Sequence, residues 1–123
     1  MKLLHNFYEV IELNQSADSV SALVKIEKEH SIFKGHFPNH PVTPGVCTMQ
    51  IIKELSENHL GKELMLKTAR NVKFMAIINP EENEVVRFDL SFERLDSGEF
   101  SVRSTVLIEE NPALKFGGIF KEI

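Results

Sequence analysis

An α+β fold, an antiparallel β-sheet wrapped around one long central helix, is predicted by three features of the chain. Six segments have strand character, with β-branched and aromatic residues in rough alternation between turn-forming Asn, Asp, Gly and Pro. One stretch, from Thr43 to about Leu60, instead carries apolar residues at helical spacing. Strands and helices do not alternate along the chain, so strands that follow one another pair antiparallel, and a single largely apolar helix is buried by wrapping the sheet around it. With 123 residues and 42% hydrophobic content there is material for one continuous core, and residues 1–123 are read as a single domain.

Residues 7–13 and 20–28 form the first predicted hairpin, with the small polar run NQSAD as its turn. Residues 31–44 contain Gly35, Pro38, Pro41 and Pro44, a density that predicts an ordered loop and no regular element. Thr43 suits an N-cap and Pro44 the first helical position, while Gly61 is the stop. On that helix Cys47, Ile51, Ile52 and Leu55 make an apolar stripe, and Gln50, Glu54 and Glu57 share another face. Four further strands are expected at 64–75, 84–95, 99–109 and 114–121. Asn79-Pro80, Asp96-Ser97-Gly98 and Asn111-Pro112 are the breaks, with a hairpin closed at the DSG turn. Such a sheet has an edge strand, a liability that dimerisation commonly covers.

Charge and composition exclude several functions. Fourteen Lys and Arg against 18 Asp and Glu give a net charge of -4, the wrong sign for general nucleic-acid binding or attachment to an anionic membrane surface. The start, MKLLHNFYEVIEL, is interrupted by His5, Asn6, Glu9 and Glu12 and does not form a signal-peptide core. No apolar run approaches the ~20 residues of a membrane helix. The single cysteine, Cys47, rules out an internal disulfide and fits a reducing, cytoplasmic setting.

The most specific motif is GHFPNHPVTPGV, residues 35–46, in which a histidine precedes a proline-stiffened loop that runs into a helix start. This stretch resembles the active-site segment of the 3-hydroxyacyl-[acyl-carrier-protein] dehydratases of hot-dog fold, which reads approximately GHFPxxPVxPGV. Residues 71–81, NVKFMAIINPE, are similar to a family strand that ends in a Pro-Gly-Asp-like turn. The resemblance spans nearly the whole chain in element order. One departure stands out. The family continues into an ExxxQ on the helix, whereas this chain has Gln50 first and Glu54 four residues later, so acid and amide have changed places.

The resemblance implies elimination of water from a 3-hydroxyacyl thioester, with His36 as base. Imidazole titrates near neutrality and so suits removal of a thioester α-proton. Gly45, in the first helical turn, is the expected oxyanion donor through its backbone N–H, at a helix end where amides lack intrahelical partners. Gln50 takes the position of the usual acid; an amide positions a hydroxyl but supplies no proton. Three remedies are open: Glu54, one helical turn away along the same face, acts as the acid directly or through water; His36 returns the proton it removes; or a partner chain brings a carboxylate. An exposed surface glutamate is the alternative reading of Glu54. Phe33, Phe37, Pro44, Val46, Phe74 and Met75 are the expected acyl-binding residues, with ordinary core as the alternative for Phe33, Phe37, Phe74 and Met75. Cys47 is read as packed core in preference to a nucleophile. His5, His30, His40 and His59 are read as structural. No zinc-ligand set accompanies them, and no cofactor is expected.

The resemblance also implies a substrate carried on an acyl carrier protein. Such an acidic partner would dock on Lys62, Lys67, Arg70 and Lys73, the most basic local segment, for which solvated surface charge is the alternative. The expected assembly is a homodimer, or a heterodimer with a homologous chain. Two other functions fit the sequence: a noncatalytic subunit that binds acyl chains or carrier protein beside an active homologue, and an acyl thioesterase in which the amide orients water.

Overall fold

The computed structural model describes residues 2–35 and 42–123, and His36, Phe37 and His40 lie outside the described residues. The element order is β1 (Tyr8–Gln15), β2 (Ser19–Ile26), α1 (Ile32–Gly35), α2 (Gly45–Leu60), β3 (Leu64–Phe74), β4 (Val85–Arg94), β5 (Phe100–Ile108) and β6 (Asn111–Glu122). The strands form one six-stranded sheet in the order β1-β2-β4-β5-β6-β3, antiparallel at every junction. This is the hot-dog architecture, with α2 against the inner face.

Alternation explains which face is inner. Val86, Phe88, Leu90 and Phe92 of β4 and Val102 and Val106 of β5 are buried, as are Leu114, Phe116 and Phe120 of β6. They pack with Ile51, Ile52 and Leu55 of α2 in one cluster. Fully burying each of the two isoleucines contributes about 1.5–3 kcal/mol. The predicted stripe of Cys47, Ile51, Ile52 and Leu55 is therefore the buried face, joined by Thr48, Glu54 and Ser56.

Gly61 closes α2 in the left-handed conformation (φ 66°) with its N–H donating to the Glu57 carbonyl, as expected. At the other end Pro44, not Thr43, is the N-cap. Its extended backbone (φ -58°, ψ 140°) starts the helix one residue later than predicted, and no side chain among the described residues caps it. Thr43 instead donates its N–H to the Ile78 carbonyl at 2.9 Å. Upstream, Ile32–Gly35 winds into one helical turn where a loop was expected; the first proline comes only at Pro38 and does not reach it.

The β4–β5 hairpin closes as predicted, with Gly98 at φ 88° in the turn. The break expected at Asn111-Pro112 is displaced. Both residues belong to β6, and the chain reverses at Glu109 and Glu110, whose φ values of 48° and 69° make a two-residue turn of the type that Asn-Gly favours. Replacing Glu109 by Asn and Glu110 by Gly should stabilise the protein by about 1 kcal/mol. A rise in the thermal unfolding midpoint would register it.

β3 is one of the sheet's two edge strands, and apart from Leu64 its side chains are exposed. Its register slips twice, leaving Lys67 and Arg70 as the extra residues of two bulges. Charged bulges on an edge discourage open-ended strand addition. Opposite them, a Cβ on Gly118 would come within 2.8 Å of the Thr68 carbonyl, so the bulged strand requires glycine there. Among the described residues no helix is long and apolar enough to cross a membrane.

Candidate active site

The first turns of α2 and the far end of the sheet enclose a groove of ≈ 390 Å³. One wall is the helix, with Gly45, Val46, Met49, Gln50 and Lys53; the other is Leu66 and Phe74 of β3 with Phe116 and Phe120 of β6. A second cavity of ≈ 270 Å³ shares Gly45 and Phe74 with it and continues past Thr48 to Ile77 and Ile78. Both are mainly apolar and of a size that suits a small ligand or acyl chain. The Thr43–Ile78 hydrogen bond ties the segment after β3 to the helix start, and so brings Phe74 over Gly45.

Gly45 is the point of closest approach. A Cβ there would lie 2.6 Å from the Phe74 ring, although that ring is 55% exposed and free to shift. Among the described residues no side chain caps the first-turn amides of α2, and Thr43, the predicted capping residue, keeps a buried hydroxyl with no hydrogen-bond partner there. The positive end of a 16-residue helix thus opens on the groove. Gly45→Ala should fold with near wild-type thermal stability, since alanine suits a helix and Phe74 yields. Acyl-thioester turnover, measured as kcat/KM, should fall by at least about tenfold as the close approach at the helix end is blocked.

Gln50 lines the groove and donates Nε2–H to Glu54 Oε2 at 2.9 Å. Glu54 itself is 6% exposed, which overturns the surface-glutamate reading. Its Oε2 also accepts the Leu3 N–H at 2.8 Å, and its Oε1 accepts the Leu4 N–H at 2.9 Å and the Tyr8 hydroxyl at 3.0 Å. Both carboxylate oxygens are thus occupied by donors, an arrangement that suits an acceptor and leaves little room for the proton-donating role expected of Glu54. Burial, with the adjacent Glu54 charge, pushes the Tyr8 hydroxyl pKa far upward and keeps it a donor.

Of the other predicted residues, Val46 is 67% exposed on the groove wall and Phe74 lines both cavities. Phe33 is corrected to core: it is buried and stacks on Phe7 with ring centroids 5.4 Å apart. Pro44 caps the helix and Met75 sits on the strand's continuation, its N–H bonded to the Ala113 carbonyl; neither lines these cavities. Cys47 is buried, and burial raises its thiol pKa, which agrees with core and not with a nucleophile. His5, His30 and His59 are held by Glu9, Asn6 and Gln15 respectively. Lys62 pairs with Glu122 and Lys67 with Glu99 at the surface, while Arg70 and Lys73 have no ion pair among the described residues. Met49, Lys53, Leu66, Phe116 and Phe120 were missed. Met49 and Lys53 follow Gly45 at steps of four, a helical spacing that was legible.

Fold and groove together define a hot-dog protein whose uncapped helix start faces an apolar slot suited to an acyl group. A family model described as ApeI-like, ApeI dehydratase, matches residues 12–111, and the chain belongs to that family. It is thereby a dehydratase, as the resemblance at residues 35–46 implied. Among curated proteins, the 3-hydroxyacyl-[acyl-carrier-protein] dehydratase FabZ of Rickettsia felis is 29% identical over 120 residues, covering 91% of this chain and 81% of that protein. FabZ of Lactiplantibacillus plantarum is 27% identical over 119 residues, covering 86% and 80%. Among solved structures, a chain of the dehydratase heterocomplex ApeI:P from Xenorhabdus doucetiae aligns with a TM-score of 0.73 at 16% identity, covering 91% of this chain and 96% of that one. At that identity the likeness supports the fold.

Proposed function

We propose that the protein eliminates water from a 3-hydroxyacyl thioester borne on an acyl carrier protein, giving the trans-2-enoyl thioester in fatty-acid-type biosynthesis in the cytoplasm. The observation that carries this reading is the uncapped start of α2 at Gly45, opening on an apolar groove beside Gln50. The thioester carbonyl lies at the Gly45 N–H, where negative charge develops as the α-proton leaves to His36. The electrons of the Cα–H bond form the double bond while the Cβ–O bond breaks. Gln50 holds the departing hydroxyl, and the proton that makes it water comes back from His36, since the amide has none to give. The occupied oxygens of Glu54 support this one-base route over the alternative acid.

Val46, Leu66 and Phe74 leave the groove's wall apolar and exposed in the single chain. A second copy or a homologous chain closes it, consistent with the exposed Val72, Met75 and Ile77 nearby. Lys62, Lys67, Arg70 and Lys73 receive the carrier protein, whose acyl arm then enters beside β3.

Hydration of a crotonyl thioester, the reverse reaction, tests the proposal. Loss of enoyl absorbance without release of thiol is expected. Thiol release instead would mean hydrolysis, and binding without either would mean a noncatalytic subunit.

A further inference from the structure

We infer that Glu54 acts on this reaction through Gln50, as a positioning residue that fixes which edge of the Gln50 amide faces the groove. The inference rests on the dehydratase reading above and goes beyond it. Four groups converge on the Glu54 carboxylate, two on each oxygen: the Leu3 N–H and Gln50 on Oε2, the Leu4 N–H and the Tyr8 hydroxyl on Oε1. The two backbone amides can only donate, and the buried Tyr8 hydroxyl has its proton turned to the carboxylate. Against such a group only the NH₂ edge of Gln50 is tolerated, because the reversed amide would set its carbonyl oxygen 2.9 Å from a carboxylate oxygen.

The consequence lies on the other edge. Donation of one Nε2–H to Glu54 sets the Oε1 of Gln50, an acceptor, on the amide edge away from the carboxylate. That acceptor therefore takes the O–H of the substrate's 3-hydroxyl and holds the oxygen so that another group delivers the proton. The exchanged order of amide and acid is thus a coherent pair: the carboxylate sits one turn further along the helix, buried under the N-terminal segment, and orients the amide that replaced the acid. Leu3, Leu4 and Tyr8 hold the carboxylate in place and so become part of the site's support.

The test is a double-mutant cycle on the full chain, read by hydration of a crotonyl thioester. Glu54→Gln should lower kcat by about ten- to hundredfold with KM nearly unchanged, because a misaligned hydroxyl slows the step without weakening acyl binding. Gln50→Ala should lower it comparably, and the double variant no further than the worse single one. Independently of activity, the Gln50 side-chain amide protons should be slow to exchange in wild-type protein and lose that protection in Glu54→Gln. Should Glu54→Gln fail to fold, Glu54→Asp withdraws the carboxylate by one carbon with its charge intact and is expected to give the same kcat loss. Multiplicative losses in the cycle, or a folded Glu54 variant with unchanged kcat and unchanged Gln50 amide protection, would overturn the inference. Absence of hydration by wild-type protein would sink the dehydratase reading instead, and the amide signal would still report whether Glu54 orients Gln50.

Discussion

His36→Ala is expected to lower crotonyl-thioester hydration by about a hundredfold to ten-thousandfold, the range that a general acid–base group supplies. The upper end is expected here. In a site with separate acid and base, loss of the base leaves the acid to assist departure of the hydroxyl. In this chain neither neighbour fills that part: Gln50 has no titrating proton, and Glu54 already accepts from four donors. On the proposed route one imidazole serves both halves of the elimination, so its removal abolishes both. KM should move little, since on the proposed reading the acyl chain lies against Val46, Phe74, Phe116 and Phe120, which line the groove. The pH profile gives a second reading. Dehydration requires the imidazole neutral, so the wild-type rate should fall as pH drops through its titration, and that acidic limb should vanish in His36→Ala. A variant with wild-type kcat would remove the base from the mechanism.

What was legible in the sequence was local. Gly61 and Gly98 announced the end of a helix and a hairpin turn because each occupies a left-handed backbone conformation that other residues resist. The helix start was off by one residue because Pro44 fits the extended N-cap as well as the first helical position, and only the hydrogen bond from the Thr43 N–H to the Ile78 carbonyl decides between them. The turn at Glu109-Glu110 was invisible, since nothing in a pair of glutamates favours positive φ; the pairing of β5 with β6 imposes it. The groove was half legible. Gly45 and Gln50 came from a motif, but Phe116 and Phe120 depend on the register of β6, and Phe33 was misplaced because composition does not separate a core phenylalanine from a lining one. Glu54 is the sharpest case. It lies on the polar face of the helix by spacing, and its burial comes from Leu3, Leu4 and Tyr8, partners some fifty positions away in the chain.

That buried carboxylate makes Gln50→Glu informative in a way that a simple reversion is not. The new carboxyl would face Glu54 Oε2 across the 2.9 Å now spanned by an amide hydrogen bond. Two carboxylates that close cannot both ionise without a large penalty, so the pair retains a proton and the new group's pKa is driven upward. Because the other donors already occupy Glu54, the shared proton resides on the residue at position 50, facing the groove. A general acid then exists where the chain has had none, and kcat for the dehydration direction should rise by about ten- to hundredfold. The sign of the pH effect follows from the raised pKa: the gain is present while the carboxyl is protonated and disappears as pH rises through its titration, adding an alkaline limb that wild-type protein lacks. Stability should fall in the same alkaline direction, as ionisation forces two buried charges together. An unchanged kcat in a folded Gln50→Glu variant would mean that the groove does not bring the substrate hydroxyl to this position, and that His36 alone sets the rate.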